Sequence, residues 1–548
     1  MSGSRLRAYH CDVHAKVERR WAGLAGLISA AAGLALAELT ALMIAPQSSP
    51  VLAIGSLTID LAPPWVKDAV IAVFGTGDKV FLLTLLLVVL AIVSAGAGYL
   101  ELKKPPWGAV LFLMLSGVAT VAVTTRAQAN GLWAAPAVVG AVGACLVLRL
   151  SIRRLRDWSS ASEQNDAESG MPSKSGAASN SDPRANSDPR ATPTRRRFLT
   201  LLIGTAAAAV VIGIGSRVAN AASLAVDTIR EAISLPKPAK PAPPIAAGSM
   251  LDVEGLSPLI TPNDQFYRID TALQVPAVDP ETWRLRVTGM VENEIEISFK
   301  ELLDLPLIET TVTLACVSNE VGGDLIGNAV WLGYPIHKLL AQAKPLDGAD
   351  MVLSRSVDGF TAGTPLEILQ DESRDSILAL GMNGTTLPVV HGFPVRMVVP
   401  GLFGYVSATK WLTELQVTTF DSASAYWTDR GWSERGPVKI GSRIDVPSSR
   451  ASVKAGTVAV AGVAWAQHTG IHGVEVRVDG GAWAPARLST PISSDTWVQW
   501  VYEWDAAAGN HELEVRATDS TGQTQSGTPV PVVPDGAEGW HSVTVTVS

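Results

Sequence analysis

The segment Thr313-Leu-Ala-Cys-Val-Ser-Asn-Glu320 begins as an apolar run and ends in a polar loop that continues through Gly322 and Gly323. The apolar part is typical of a buried β-strand, and the glycines after it permit a tight turn. Cys316 stands where the strand ends, and a soft thiolate in that place can ligate a transition metal that approaches from one side. The alternative for a single cysteine is an inert thiol buried in the core.

A second group of motifs follows downstream and consists of three adjacent segments: His391-Gly-Phe-Pro-Val-Arg396, Met397-Val-Val-Pro-Gly401 and Gly404-Tyr-Val-Ser-Ala-Thr-Lys-Trp411. Their side chains His391, Arg396 and Lys410 cluster around tight turns. Such donors suit an anionic, phosphate-bearing group, whereas a single exposed Arg or Lys is usually solvated or paired with a carboxylate. Together with Cys316, these residues predict a site for a metal and an anionic cofactor.

From about Pro262 to the C-terminus, these motifs resemble the sulfite oxidase family of molybdenum-pterin enzymes. That family carries a C-x-x-N loop, matched by Cys316 and Asn319, and an H-G-F-P-x-R segment followed by V-V-P-G and a Lys-Trp pair. The resemblance implies a molybdopterin (Mo) cofactor, oxygen-atom transfer coupled to two electrons, and Cys316 as the ligand to molybdenum. It also implies the residues that hold the pterin and its phosphate, namely Tyr267, Arg268, His391, Arg396, Ser407 and Lys410.

The region around these motifs, residues 251–440, mixes short strand-like and helical runs without regular βαβ alternation. This pattern indicates an α+β catalytic domain, and the missing G-x-G-x-x-G and G-x-x-x-x-G-K-[ST] motifs disfavour dinucleotide and P-loop sites. Residues 441–548 contain short alternating strands separated by turns such as Asp479-Gly480-Gly481, which is typical of an immunoglobulin-like β-sandwich. The resemblance implies that this sandwich mediates homodimer formation.

Two departures from the family pattern concern the substrate. Sulfite oxidases typically place an arginine five residues after the metal cysteine, where this chain has Val321, and a tyrosine beside the metal, where it has Thr361 and Ala362. A compact oxyanion such as sulfite needs fixed cations, because desolvating its charges without partners is costly. Sulfite oxidation and reduction of an S-oxide or N-oxide therefore both stay open, with a cytochrome or a quinone-linked membrane protein as redox partner. A cofactor-free binding protein on the same fold is a further alternative.

Four apolar runs dominate the first 150 residues, and each is long enough to cross a hydrocarbon core of about 30 Å. They are Trp21–Ala45, Val80–Leu100, Gly108–Val123 and Leu132–Leu150, whereas Val66–Phe74 is too short to span. Basic residues flank the first and fourth runs and separate the second from the third, which predicts that these segments face the cytoplasm. The runs contain no histidine, so they cannot hold haem b through paired imidazoles and form an anchor or docking surface. Glu38 marks either an ion path or an interfacial carboxylate.

Residues 151–194 are polar and contain a six-residue duplication, which predicts a disordered cytoplasmic linker. The linker ends in Thr194-Arg195-Arg196-Arg197-Phe198-Leu199-Thr200, so residues 195–222 resemble a twin-arginine export signal that also forms a fifth transmembrane helix. An ordinary spanning helix with a positive flank is the alternative. The twin-arginine route carries folded protein, which suits a cofactor inserted before export, and a Pro-rich spacer at 223–250 would hold the catalytic half off the membrane.

The composition agrees with this multi-domain organisation. Of the 548 residues, 47% are hydrophobic and only 17% are charged, and the apolar excess lies before residue 220. The formal net charge of -8 gives no basic field, which excludes nucleic acid as a partner. The sequence therefore predicts a multi-pass protein of the cell membrane with residues 225–548 on the extracytoplasmic side.

Overall fold

The computed structural model describes residues 3–45, 48–63, 66, 70, 73–74, 77–126, 129–169, 191–218 and 221–548. The chain divides into two compact units, Met1–Ala222 and Ser223–Ser548. The first unit is helical in its described part. Its helices are α1 (Gly3–Ile44), α2 (Pro50–Leu61), α3 (Asp78–Lys103), α4 (Trp107–Thr124), α5 (Ala135–Ser169) and α6 (Ala191–Val218). Most of Val66–Phe74, the run predicted to be too short to span, lies outside the described residues.

In the described residues of the first unit, four helical segments are long and apolar enough to cross a membrane. They are Val17–Ile44, Lys79–Lys103, Trp107–Thr124 and Gly131–Ala161, which agree with the four predicted runs. The helix that carries the twin-arginine-like motif is not among them, so its role as a fifth span stays a prediction. Glu38, on α1, accepts a hydrogen bond of 2.7 Å from the Ser49 hydroxyl.

Two arginines within α5 contact the end of α3 and the basic motif of α6. Arg156 on α5 donates to the carbonyl oxygens of Glu101 and Leu102 at the end of α3, at 2.9 and 2.8 Å. Arg154 donates to the Arg197 carbonyl of α6 at 3.1 Å. The basic segments after the second and fourth runs and the twin-arginine-like motif therefore lie together, as a common orientation requires.

Helix α5 extends well beyond the predicted span. It continues to Ser169, so residues 151–169 differ from the predicted disordered linker, while 170–190 lie outside the described residues. The first turn beyond the predicted span is packed, since Ile152 and Leu155 are 2% and 1% exposed and lie in the core of the bundle. The intervening arginines concealed this packing, which depends on side chains one helical turn apart.

The second unit contains helices α7 to α11 and all nineteen strands found in the described residues. The helices are α7 (Ala221–Ala232), α8 (Phe299–Leu303), α9 (Ile336–Ala343), α10 (Leu366–Gln370) and α11 (Gly404–Ser407). The strands are β1 (Arg284–Gly289), β2 (Ile295–Ser298), β3 (Ile308–Ala315), β4 (Ile326–Pro335), β5 (Met351–Ser356), β6 (Thr361–Pro365), β7 (Ile377–Met382), β8 (Thr385–Thr386), β9 (Arg396–Val398), β10 (Leu412–Thr418), β11 (Gly441–Val446), β12 (Ala451–Val453), β13 (Gly456–Trp465), β14 (Ile471–Val478), β15 (Ala484–Pro485), β16 (Arg487–Leu488), β17 (Val498–Ala506), β18 (Gly509–Asp519) and β19 (His541–Val547).

The catalytic region is built on two sheets, as an α+β domain. One has the order β2-β1-β10-β5-β6, and the other has the order β3-β4-β7-β8 with β9 paired to β7. A shared core lies against both sheets and contains fully buried side chains such as Trp331, Leu285 and Val395. A capping box between Ser298 and Glu301 starts α8 at the end of β2.

The C-terminal strands form a sandwich of two sheets, with orders β11-β13-β17-β16 and β12-β19-β18-β14-β15. Alternate residues point inward, as in β19, where Val543, Val545 and Val547 are buried and the residues between them are exposed. The inner faces meet in a separate core that includes Trp500. This architecture confirms the predicted immunoglobulin-like sandwich.

The predicted Pro-rich spacer, residues 223–250, is structured and belongs to the second unit. It begins inside α7, whose Val226 packs into the catalytic core. Further on, Lys240 pairs in parallel with Ile308, and the Ala239 amide donates to the Leu307 carbonyl at 2.8 Å. Prolines are tolerated at such a sheet edge because their missing amide hydrogen is not needed by a neighbouring strand.

Candidate active site

Cys316 directly follows β3, and the residue is 8% exposed. Its amide donates to the Leu325 carbonyl at 2.9 Å, and its carbonyl accepts from the Asn319 amide at 3.1 Å. The Asn319 side-chain oxygen accepts from the Leu325 amide at 2.8 Å. The asparagine of the Cys-x-x-Asn motif thus closes the loop, so that Cys316 is held at its base.

Burial raises the pKa of the Cys316 thiol above its ordinary value. Hydrogen bonds from Ser318 and the charge of Lys410 act in the opposite direction. A buried thiol with donors already directed at its sulfur favours the thiolate when a metal binds, because metal coordination requires the deprotonated form.

The immunoglobulin-like domain contacts the loop that follows Cys316. Gly322 adopts φ +79°, and a Cβ built there would lie 2.2 Å from Cδ2 of His541. Arg443 donates to the Gly323 carbonyl at 2.7 Å and pairs with Asp445 at 2.6 Å. These contacts were not predicted, because nothing in the local sequence relates residues 443 and 541 to the cysteine motif.

Arg396 lies at the start of β9 and is 5% exposed. Its guanidinium donates to the carbonyl oxygens of His391 and Met397 at 3.2 and 3.3 Å and stands 5.0 Å from the centre of the Trp331 ring. Burial lowers its pKa to about 10. The hydrogen-bond partners of the buried Arg396 are neutral carbonyl oxygens. Its positive charge can therefore be balanced by an anionic group bound nearby.

His391 is 2% exposed, and its Nε2 lies 2.7 Å from the Asn263 carbonyl oxygen. Burial lowers its pKa to about 4, and the charges of Arg396, Lys410 and Arg268 lower it as well, against the hydrogen bond with Asn263, which raises it. Near neutral pH the imidazole is uncharged. It can therefore donate one hydrogen bond to the Asn263 carbonyl and offer its other nitrogen as an acceptor.

Lys410 and Arg268 share one carboxylate. The Lys410 ammonium lies 3.0 Å from Asp270 Oδ2, and Arg268 Nε lies 2.8 Å from the same oxygen. The Lys410 and Asp270 side chains are 10% and 3% exposed, whereas Arg268 is 39% exposed. Burial lowers the pKa of Lys410 to about 8 despite the attraction of Asp270. Asp270 was not among the predicted site residues, because it belongs to none of the quoted motifs although it lies two residues after Arg268.

Two backbone turns bring the cations together. Gly392 has φ +113°, and a Cβ there would lie 3.0 Å from Lys410 Cβ and 3.1 Å from Arg396 Cβ. Trp411 has φ +49°, an unusual value for a bulky residue, and its indole donates to the Val389 carbonyl at 2.9 Å. A strained residue of this kind persists where the surroundings fix it, and it is common at functional sites.

Tyr267 and Ser407 complete the set of predicted residues. Tyr267 stacks on Phe266, and a Cβ at Gly404 would lie 3.7 Å from both the Tyr267 hydroxyl and the Ala315 carbonyl. Burial and the nearby Cys316 raise the pKa of Tyr267 far above its ordinary value. The Ser407 hydroxyl donates its hydrogen to the carbonyl oxygens of Phe403 at 2.9 Å and Leu402 at 3.2 Å. In this conformation it can offer a bound cofactor only its oxygen, as a hydrogen-bond acceptor.

These residues suit an anionic cofactor that brings its own metal ligands. Three cations, Arg268, Arg396 and Lys410, all act on His391, and Asp270 balances only part of their charge. In the part of the chain that the structure describes, no three His, Cys, Asp or Glu side chains come together as a metal site. A metal at Cys316 would therefore take most of its ligands from a bound cofactor.

A shallow, open cleft borders the Cys316 loop. It is lined by Ala315, Asn319, Glu320, Val321, Gly322, Phe403, Lys439, Ile440, Gly441, Ser442, Trp465, Gln525, Ala537, Glu538 and Gly539. Lys439, the one cation in this lining, pairs with Asp535 at 2.9 Å and Glu538 at 2.8 Å. With Glu320 also at its edge, the cleft carries a net negative charge.

Comparison with known proteins identifies both domains of this unit. Residues 272–427 match the oxidoreductase molybdopterin binding domain, and residues 442–515 match a bacterial Ig domain. The mitochondrial sulfite oxidase of Mus musculus is 32% identical over 341 residues, which cover 53% of this chain and 62% of that protein. The sulfite oxidase of Gallus gallus is 30% identical over 324 residues, which cover 50% of this chain and 69% of that protein.

Among solved structures, the sulfane dehydrogenase SoxCD from Paracoccus pantotrophus is similar with a TM-score of 0.47 and 23% identity, covering 54% of this chain and 82% of that chain. The chain spans less than two thirds of the length of the mouse sulfite oxidase.

A molybdopterin-binding oxidoreductase domain followed by an immunoglobulin-like domain is the class of protein that this fold and site define. The chain belongs to the sulfite oxidase family of molybdopterin-dependent oxidoreductases. The predicted family, fold class and molybdopterin cofactor are thereby confirmed. The individual roles of Cys316, Tyr267, Arg268, His391, Arg396, Ser407 and Lys410 stay predictions.

Proposed function

We propose that this protein is a membrane-anchored oxidoreductase that works outside the cytoplasm and reduces a small, uncharged S-oxide or N-oxide. The bound cofactor supplies oxygen-atom and two-electron chemistry. Cys316 would hold the metal, and His391, Arg396 and Lys410 would hold the pterin and its phosphate. Tyr267 and Arg268 would line the opposite side of the cofactor.

The proposed substrate is uncharged because few free positive charges lie beside the Cys316 loop. Val321 provides no cation where sulfite oxidases typically have arginine, and Lys439 in the adjoining cleft is already neutralised by Asp535 and Glu538. A dianion placed there would lose hydration without gaining a counter-charge. An uncharged oxide meets no such penalty and can accept hydrogen bonds from the cofactor side.

Sulfite oxidation is the second candidate, and one observation favours it. The two sulfite oxidases described above share 32% and 30% identity with the catalytic half of this chain. Arg268 is 39% exposed and could turn from Asp270 toward an anion, which would supply part of the missing charge.

One preparation can decide between these functions. The full chain is purified from a host that makes molybdopterin, and its molybdenum content is measured first. Sulfite oxidation is then assayed with cytochrome c or ferricyanide, and S-oxide and N-oxide reduction with a reduced viologen. Turnover in the reductive direction alone supports the proposal. Rapid sulfite oxidation at micromolar substrate contradicts it.

The membrane anchor and its orientation belong to the same proposal. Among the described residues, four helices are long and apolar enough to span. Arg154 and Arg156 of α5 contact α6 and the end of α3, which supports a common cytoplasmic side for these basic segments. The twin-arginine-like motif at that side would then direct the folded catalytic half outward. Electrons would come from a quinone-linked membrane protein or a cytochrome, and the β-sandwich would pair two copies into a homodimer.

A further inference from the structure

The apolar residue of the twin-arginine-like motif is buried inside the helical bundle. Phe198 follows Arg195, Arg196 and Arg197 and is 0% exposed. Its ring lies 5.7 Å from the Trp21 ring, edge to face, and 5.8 Å from the Trp158 ring, which is stacked upon it. The two tryptophans themselves lie 6.1 Å apart. Trp21 on α1 and Trp158 on α5 thus form a groove, hereafter the Trp21–Trp158 groove, that holds one side chain of α6.

The helix continues this contact along one face. Leu202, one turn after Phe198, is 3% exposed, whereas Ile203 beside it is 68% exposed. At the start of the helix, Arg154 donates to the Arg197 carbonyl at 3.1 Å. One face of α6 is therefore packed against α1 and α5, and the other is uncovered.

We propose that the preceding helices are a receptor for this chain's own signal helix, and that Phe198 enters the Trp21–Trp158 groove only after export. A side chain enclosed by two indoles cannot be contacted by an export receptor at the same time. The export receptor must therefore bind the motif before Phe198 docks. Docking then holds the helix in the bundle, where it anchors the exported half. In a membrane such packing has no hydrophobic driving force, so close contact of large aromatic surfaces supplies the attraction.

The docking step can be tested on the intact, membrane-inserted chain. A protease site is placed in the segment 170–190, the membranes are solubilised in mild detergent after cleavage, and the N-terminal fragment is captured by a tag. We expect the catalytic fragment to remain bound. In Trp21→Ala with Trp158→Ala, which leaves the motif intact, retention should fall by about fivefold or more. Trp107→Ala is the matched control, because Trp107 is 56% exposed in the same unit.

A second variant separates loss of docking from loss of folding. Trp158→Phe, made in the chain that keeps Trp21, leaves an aromatic ring in the groove. Its retention should be close to that of the wild type and well above that of the double alanine variant. Equal retention in the wild type and in the double alanine variant would overturn the proposal, as would separation of the wild-type fragments after cleavage.

Export is measured separately as protease accessibility of the catalytic half in spheroplasts. The order of events rests on the proposed twin-arginine route, whereas the docking contact does not. We expect the double alanine variant to be exported as well as the wild type, because the motif is read before docking. Loss of export in that variant would overturn the proposed order. If export instead proceeds without Arg195 and Arg196, the proposed route fails while the retention result still decides docking.

Discussion

Asp270 and Lys410 form a buried ion pair 3.0 Å long, although 140 residues separate them in the chain. The pair joins the segment after Tyr267 to the Lys-Trp turn and thereby closes one side of the candidate cofactor site. Arg268 contacts the same carboxylate oxygen, so a single negative charge serves two cations.

Because of this arrangement, the stability of the cofactor-free protein should depend on Lys410 and on pH. Its pKa is about 8 in the folded protein, whereas an unfolded lysine titrates near about 10.4. Between these values the unfolded chain binds more protons, so the free energy of unfolding rises with pH. We expect this rise, measured by urea unfolding, to shrink in Lys410→Met and to persist when the exposed Lys300 is replaced by Met. An undiminished rise in Lys410→Met would contradict the assignment.

Replacing Cys316 by Ser should remove the metal ligand and leave the fold intact, because the change is nearly isosteric but supplies a harder atom. Turnover should fall by at least about a hundredfold, because loss of a residue that only supports a metal ligand already costs up to about that much. The number of sulfur neighbours of molybdenum, measured by X-ray absorption, should decrease. Cys145→Ser in the helical unit is the control and should change neither quantity. Normal turnover in Cys316→Ser would refute its role as ligand.

Val321→Arg should shift substrate preference toward sulfite. A charged hydrogen bond to an anion contributes about 1.5 to 3 kcal/mol, which corresponds to a decrease of about tenfold or more in KM for sulfite. Turnover of an uncharged S-oxide should change little. Val321→Gln, which is polar but uncharged, provides the comparison, and an equal effect of both substitutions would show that charge is not the missing feature.

The support of the Cys316 loop by the β-sandwich predicts a local sensitivity at Gly322. Gly322→Ala places a Cβ 2.2 Å from His541, whereas Gly384→Ala, at a similar φ of +76°, meets nothing within 4 Å. Both changes carry a left-handed backbone cost of about 1 to 2 kcal/mol. We therefore expect a larger drop in thermal stability and in molybdenum content for Gly322→Ala. Equal losses in the two variants would show that the contact with His541 is unimportant.

Arg195→Lys with Arg196→Lys should block export of the catalytic half while the first four helices still insert. The substitution keeps the positive charge, so the general preference of basic residues for the cytoplasmic side is preserved. Protease accessibility in spheroplasts measures the result. Arg149→Lys with Arg153→Lys, at the basic end of the fourth run, should leave export unchanged. Normal export of the Arg195 and Arg196 variant would exclude the twin-arginine route.

Local pattern in the sequence was sufficient for most elements of the fold. A short apolar run anticipated β3, alternating strands anticipated the sandwich, and long apolar runs anticipated four candidate spans. The motifs around Cys316 and His391 identified the family, because turn glycines and donor residues occur there at fixed spacings. These features depend on residues close together in the chain, where backbone geometry alone limits what can form.

Only the tertiary structure decided which distant charges meet. Asp270 beside Lys410, Arg443 beneath the Cys316 loop and Lys439 between two carboxylates follow from packing between elements far apart in sequence. The same holds for Phe198, which is buried against Trp21 and Trp158 although the three residues belong to three different helices. Burial changes both the partners and the pKa of a group, and burial depends on the folded whole, which no local period encodes.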